Sequence, residues 1–202
     1  TIVTGNGDDS ISISRKTCLG KYYTGDGNDY FEIINTYDEG DGNYAMYGST
    51  VDTGAGDDTI RLDAQKVLTH SPNVVDGGSG DDFINISGII GHYSHSILGG
   101  AGNDTVVLRS TVEGSSHVVD GGIGDADLLQ VRLDGVSSTA INTLNGLMTN
   151  ASVINFETLL LDLEGRSHDT LVLTQQSLNN LKKFGWQTTT SVGQGSNAEL
   201  YV

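Results

Sequence analysis

Apolar and polar residues alternate in six short segments spread over the first two thirds of the chain. Each segment places two apolar residues two positions apart, which is the spacing of side chains that share one face of a β-strand. The six pairs are Ile11 and Ile13, Phe31 and Ile33, Ile60 and Leu62, Ile84 and Ile86, Val106 and Leu108, and Leu129 and Val131. We therefore expect six half-buried strands, each with one face in a core.

A glycine-rich string precedes each of these strands. The six strings occupy residues 4–9, 24–29, 53–58, 77–82, 99–104 and 121–127, and the last contains one inserted residue. Two positions ahead of each string stands another apolar residue, in turn Ile2, Tyr22, Val51, Val75, Ile97 and Val119. The second-place glycine, which runs from Gly5 in the first string to Gly122 in the last, recurs at intervals of 20, 29, 24, 22 and 22 residues. Such a period is typical of a solenoid whose turns stack on one another.

The pattern predicts an all-β fold, a parallel β-roll or β-helix solenoid of about six coils over residues 1–131. One edge of each coil carries the glycine-rich string, and unlike segments such as 15–20, 63–73 and 88–94 close the other edge. Residues 132–202 lack the string, and we interpret them as a small α+β carboxy-terminal cap. Its expected elements are a helix over 137–149, strands over 153–163 and 170–174, a helix over 175–184 and a strand over 198–202.

Composition narrows the range of partners. The chain has 10 Lys and Arg against 26 Asp and Glu, a net charge of −16, and residues 1–131 carry −14 of it. This balance argues against binding nucleic acid or an anionic membrane, because both need clustered basic side chains. No apolar run approaches the roughly 20 residues of a membrane span. Cys18 is the only cysteine, which excludes an internal disulfide framework. Cations are the expected partners of so acidic a chain.

The repeated string has the chemistry of a calcium site. Glycines at its second and fourth places allow backbone conformations that turn carbonyl oxygens toward a common point. These glycines are Gly5, Gly7, Gly25, Gly27, Gly54, Gly56, Gly78, Gly80, Gly100, Gly102, Gly122 and Gly124. The sixth place supplies a carboxylate, from Asp9, Asp29, Asp58, Asp82, Asp104 and Asp127. An all-oxygen cage suits Ca²⁺ better than Zn²⁺ or Mg²⁺. Six stacked turns leave five gaps, hence up to five ions.

The strings resemble the calcium-binding nonapeptide repeat of the RTX (repeats-in-toxin, haemolysin-type) proteins, G-G-x-G-x-D-x-U-x. The resemblance covers residues 1–131 and implies a parallel β-roll, with the six aspartates as calcium ligands. It also implies a secreted or bacterial cell-surface protein that leaves the cell unfolded by type I secretion and folds on extracellular calcium. Residues 154–159 and 169–174 are similar to segments that flank such repeats in large RTX adhesins. One departure is the single string per coil, since residues 39–44 lack the sixth-place aspartate.

We therefore predict a non-enzymatic, monomeric calcium-binding module that acts as a folding and spacer element. A second class is a calcium-dependent adhesin module for extracellular glycans or a host surface; an ice-binding surface would need a more regular array of threonines. A third class is a polysaccharide lyase or epimerase, for which Arg61, Lys66 and Arg109 are too scattered. The chain contains neither His-Glu-x-x-His nor Gly-x-Ser-x-Gly.

Three histidines have a spacing that suits a transition-metal site. His92 and His95 lie three residues apart, and His117 is one repeat further on. We interpret them instead as solvated side chains on the irregular edge of the coils.

Overall fold

The computed structural model describes residues 1–35, 44–109, 112–114, 116–132, 147, 151–162, 170–172, 187–188 and 199–201, with side chains up to residue 160. The regular elements of this part of the chain are strands. They are β1 (Ile2–Asn6), β2 (Ser10–Ile13), β3 (Thr17–Cys18), β4 (Lys21–Asp26), β5 (Tyr30–Asn35), β6 (Tyr44–Tyr47), β7 (Thr50–Ala55), β8 (Thr59–Thr69), β9 (Val74–Ser79), β10 (Phe83–Ile90), β11 (Ser96–Ala101), β12 (Thr105–Arg109), β13 (His117–Ile123), β14 (Leu128–Arg132), β15 (Ala151–Ile154), β16 (Thr158–Asp162), β17 (Thr170–Val172), β18 (Gln187–Thr188) and β19 (Glu199–Tyr201).

The strands form two main parallel sheets, and the chain passes back and forth between them. The first sheet has the order β1-β4-β7-β9-β11-β13-β15, and the second runs β2-β5-β8-β10-β12-β14-β16-β18. Each strand pairs with its copy in the next repeat, so that Gly5 lies opposite Gly25 and Gly25 opposite Gly54. The predicted all-β, parallel architecture is thereby confirmed. In the described segments no helix is long and apolar enough to cross a membrane.

The core consists of the apolar positions that the alternation predicts. Both members of each pair from Phe31 and Ile33 to Leu129 and Val131 are fully buried, as is Val51 in the first sheet. The first repeat is the exception. Ile11 and Ile13 are only partly buried, and Ile2 is 44% exposed, because no strand stacks on the outer side of β1 and β2 among the described residues.

The edge opposite the strings is more regular than the sequence predicts. Strand β8 runs on to Thr69 through most of the segment expected to be irregular, and β3 and β6 pair alongside its end. Met46 and Leu68 lie next to each other in this ladder and are fully buried. Unlike sequences therefore form strands here, because burial of their apolar residues outweighs the lack of a repeated motif. Residues 39–43 of the imperfect string lie outside the described residues.

Both sheets continue beyond Val131. Strand β15 pairs with β13, and β16 pairs with β14, which makes a seventh layer. The single strand expected over 153–163 is in fact two strands, joined by a tight turn at Asn155, whose φ is +56°. Leu147 is fully buried in the core. The rest of the helix expected over 137–149, and all of the one over 175–184, lie outside the described residues.

Candidate metal centre

The glycine turns adopt the conformation that the string predicts. Every second- and fourth-place glycine has φ between +98° and +136°, apart from Gly124, which lies beside the inserted residue. Close stacking also requires glycine. A methyl carbon on Gly25 would lie 2.0 Å from the carbonyl oxygen of Gly5, and one on Gly54 would lie 2.1 Å from that of Gly25. The carbonyls of these glycines therefore point along the stack toward the next turn.

The six sixth-place aspartates form one continuous row, which we call the aspartate column. In each step the backbone N–H of one aspartate donates to Oδ1 of the aspartate in the next turn. The donor-to-acceptor distances are 2.7 Å for Asp9 to Asp29, 2.6 Å for Asp29 to Asp58, 2.8 Å for Asp58 to Asp82, 2.9 Å for Asp82 to Asp104 and 2.7 Å for Asp104 to Asp127. The structure thus brings together all six residues that the sequence selects.

The second carboxylate oxygen of each aspartate is left without a partner. Oδ2 of all six is buried and has no hydrogen bond within the described part of the chain. Five of the side chains are at most 2% exposed, namely Asp29, Asp58, Asp82, Asp104 and Asp127. A buried carboxylate with an unpaired oxygen is costly unless a cation or a proton accompanies it. Bound cations or protons would therefore stabilise the aspartate column.

Burial changes the acidity of the column. Desolvation raises the pKa of Asp58 to about 6, that of Asp82 to about 7 and that of Asp104 to about 6. Neighbouring carboxylates add to the effect, such as Asp104 and Asp58 on either side of Asp82. Hydrogen bonds from the backbone N–H groups oppose it only in part. Without metal, protons are the counterions available to the middle of the column.

The metal-free protein should accordingly gain β-structure on mild acidification. Protons held by Asp82 stabilise the fold below the ordinary aspartate pKa of 3.8, and this stabilisation is lost as the pH rises through about 7. His95 acts in the opposite sense, because burial lowers its pKa to about 4 from 6.5. We expect the circular dichroism of metal-free protein to show more β-sheet at pH 5 than at pH 8, recorded without chelators, which titrate themselves. A signal that increases with pH would contradict this.

Glu157 ends the aspartate column and was missed by the sequence analysis. The backbone N–H of Asp127 donates to its Oε2 at 2.7 Å, so a glutamate takes the place of the next aspartate. The signal was present, since Leu159 and Leu161 stand two and four positions after Glu157, as the paired apolar residues do after each sixth-place aspartate. It was hidden because the turn before Glu157 has no glycine.

A second row of side chains runs along the outside of the same turns. The fifth-place residues Asp8, Asn28, Asp57, Asp81 and Asn103 each accept a hydrogen bond from the fifth-place N–H of the following turn, at 2.8 to 3.3 Å. All five of these residues are exposed. They hold the turns in register, whereas the inner column carries the buried charge.

The opposite edge has its own row of acceptors, which we call the neutral column. Side chains of Ser49, Asn73, His95 and His117 accept the backbone N–H of Gly20, Ser49, Asn73 and His95, respectively, at 2.8 to 3.3 Å. Each acceptor stands two residues before the apolar position of the first sheet, a register that the sequence analysis overlooked.

The interpretation of the histidines as solvated is correct only for His92, whose side chain is 75% exposed. His95 and His117 are buried, and their rings stack at a centroid distance of 5.3 Å. Both use Nδ1 as an acceptor, which requires the neutral ring. They are structural members of the neutral column.

One group on the outer face of the second sheet combines an acid, a tyrosine and a base. Glu32 accepts a hydrogen bond from Tyr30 at 2.7 Å and pairs with Arg61 at 3.4 Å, and Ser12 donates to its other oxygen at 3.2 Å. Arg61 also pairs with Asp63 at 3.6 Å. Because both oxygens of Glu32 accept hydrogen bonds, this arrangement is typical of a surface ion-pair network.

The donor set of the aspartate column fits a hard cation. Its unpaired atoms are carboxylate oxygens, and the glycine carbonyls point along the stack beside them. Third-place carbonyls already accept backbone hydrogen bonds. Those of Ala55 and Ser79 accept the N–H groups of Gly27 and Gly56, respectively, at 2.7 Å. Over the described residues, no three His, Cys, Asp or Glu side chains converge on one point. A cation here would thus be bound by one or two carboxylates together with backbone carbonyls, which suits Ca²⁺.

Comparison with known protein families, with curated protein sequences and with solved structures gives no match to this chain.

Proposed function

We propose that this chain is a calcium-binding β-roll module of the RTX type, without enzymatic activity, from a secreted or cell-surface bacterial protein. The observation that carries the proposal is the row of six buried Oδ2 atoms without a hydrogen-bond partner. Carboxylates arranged in this way at the interface between turns would otherwise destabilise the fold. Up to five calcium ions, bound between the six turns, would compensate the charge of these buried carboxylates.

The two carboxylate oxygens of each inner aspartate have different roles. Oδ1 of each inner aspartate holds the backbone of the preceding turn, and Oδ2 remains free to bind a cation. A bound Ca²⁺ supplies positive charge and accepts oxygen ligands in a flexible geometry. At about 10⁻⁴ M affinity and millimolar calcium, each ion would stabilise the fold by roughly 1.5 kcal/mol. Such a module would fold where calcium is plentiful, as it is outside the cell.

The proposal is tested by a pair of adjacent aspartates. Asp82 is 2% exposed within the column, while Asp81 precedes it in the same turn and points to solvent. Asp82→Ala should raise the calcium midpoint for folding by about tenfold, because the buried Oδ2 that is free to bind a cation is lost. Asp81→Ala removes the same charge and should change the midpoint much less. A calcium titration followed by circular dichroism measures both midpoints, and equal effects would point to general charge screening rather than bound ions.

A further inference from the structure

The first place of the string divides the six turns into two kinds. Threonine stands there in the first three turns, as Thr4, Thr24 and Thr53, and glycine in the last three, as Gly77, Gly99 and Gly121. The two kinds follow one another along the chain without mixing. The first-place residue lies beside the aspartate column. The first and sixth places of one turn both contact the next turn there.

In the threonine turns a hydroxyl fills this space. Thr4, Thr24 and Thr53 each donate through Oγ1 to the first-place carbonyl of the following turn, at 2.8 Å in all three cases. Thr24 and Thr53 are 1% and 0% exposed, and the hydroxyl of Thr53 also lies beside the Asp58 carboxylate. A hydroxyl has one proton to donate. The three threonines therefore join consecutive turns directly, and Thr53 also occupies the position next to a carboxylate.

In the glycine turns two oxygens converge on the same space. A methyl carbon on Gly77 would lie 2.5 Å from Oδ2 of Asp82 and 2.6 Å from the carbonyl oxygen of Gly99. One on Gly99 would lie 2.5 Å from Oδ2 of Asp104 and 2.3 Å from the carbonyl oxygen of Gly121. Both Oδ2 atoms are buried and have no hydrogen bond to the described residues. Each of these two glycine turns thus places its own aspartate Oδ2 close to a carbonyl oxygen of the next turn.

The third glycine turn differs from these two. A methyl carbon on Gly121 would lie 2.0 Å from the carbonyl oxygen of Asn155, but the nearest atom of Asp127 would be its Cβ, at 2.9 Å. No carboxylate oxygen of Asp127 lies within 2.9 Å of this position, in contrast to the 2.5 Å found in the other two turns. The inserted residue before Asp127 accounts for the changed position of its side chain.

We propose that this chain has two classes of calcium site, and that the tight class consists of two sites in the glycine turns. One is formed by Oδ2 of Asp82 with the Gly99 carbonyl, and the other by Oδ2 of Asp104 with the Gly121 carbonyl. Both oxygens of each pair lie within 2.6 Å of one methyl position, so they are at most about 5 Å apart and can ligate one ion at Ca²⁺–O distances of about 2.3–2.6 Å, with water completing the shell. The threonine turns are joined by hydroxyls and bind calcium weakly. This inference rests on the proposed function and adds to it where the ions bind first.

The experiment compares equivalent aspartates in the two kinds of turn. Asp82→Asn and Asp29→Asn both keep Oδ1 as the acceptor for a backbone N–H and both remove the charge. Equilibrium dialysis against decreasing free calcium, with folding followed by circular dichroism, should show two ions still bound at the lowest calcium concentration at which the wild type is folded. Asp82→Asn should weaken one of them at least tenfold, and Asp29→Asn should leave both unchanged. Equal losses in the two variants, or one class of five equivalent ions, would overturn the inference but not the proposed function. A wild type that binds no calcium would overturn both.

A reciprocal exchange at the first place gives a second test. Gly99 does not have a positive φ, so its backbone accepts threonine, although the Gly121 carbonyl and the Asp104 side chain must both move. We expect Gly99→Thr to lose one tight ion and Thr53→Gly to gain one. Circular dichroism at high calcium checks the fold of each variant. If Gly99→Thr does not fold, Thr53→Gly decides the matter alone, and an unchanged number of tight ions in it would count against the proposal.

Discussion

Removal of calcium at pH 7.5 should abolish most of the β-sheet circular dichroism of this protein, and addition of millimolar calcium should restore it cooperatively. Six carboxylates with unpaired buried oxygens lie in one row, and the chain as a whole carries a charge of −16. Without cations, their mutual repulsion and desolvation oppose a fold whose total stability is of the order of 5–15 kcal/mol. The binding free energy of several ions is of comparable size.

The measurement is a calcium titration of chelated, desalted protein followed at the β-sheet minimum. Magnesium at the same concentration is the first control, and it should restore little signal because it gives up its water ligands reluctantly. Sodium chloride at equal ionic strength is the second, since it screens charge without binding in the gaps. A β-sheet spectrum that persists in chelator, or one that salt alone restores, would refute calcium-dependent folding.

Gly54→Ala should be among the most damaging single substitutions in the chain. Gly54 has a φ of +98°, and the new methyl carbon would lie 2.1 Å from the carbonyl oxygen of Gly25. Backbone strain of about 1–3 kcal/mol then adds to an overlap that only separation of the turns can relieve. We expect a loss of about 3 kcal/mol or more in the free energy of unfolding, measured by urea denaturation in saturating calcium.

Gly5→Ala is the matched control for this prediction. Gly5 holds the same place in the first string with a φ of +119°, but a methyl carbon there would meet nothing within 4 Å. It should therefore cost only the backbone strain, about 1–2 kcal/mol. If the two variants lose the same stability, the left-handed conformation alone explains the glycines, and the close approach of the turns is unimportant.

The sequence predicts the repeating part of this molecule well because every turn needs the same buried apolar residues and the same glycines. The alternation that marks Ile60 and Leu62 as core recurs in every turn, and the glycines with positive φ recur with it. Repetition removes the ambiguity that a single short apolar run leaves between strand and buried helix. The aspartate column could be identified for the same reason, since one carboxylate per turn at a fixed place must align when the turns stack.

The features that were missed are those that perform a repeated task with different residues. Glu157 accepts the N–H of Asp127 as an aspartate would, but it follows a turn without glycine. The neutral column uses serine, asparagine and histidine at equivalent positions, because any uncharged side chain with an acceptor can take the neighbouring N–H. A search for identical residues does not find such a set, whereas a search for hydrogen-bond acceptors at a constant register would.

The two edges of the stack differ in how much change of length they tolerate. Successive strings are 20 to 29 residues apart, yet the pairing of Gly5 with Gly25 and of Gly25 with Gly54 is unbroken. The extra length is therefore accommodated away from the strings, at the opposite edge, where β3, β6 and the end of β8 pair. New loops can be acquired or grafted at that edge while the spacing of the aspartates stays constant. Descendants of such a chain can diversify what they display on one side without altering the aspartate column on the other.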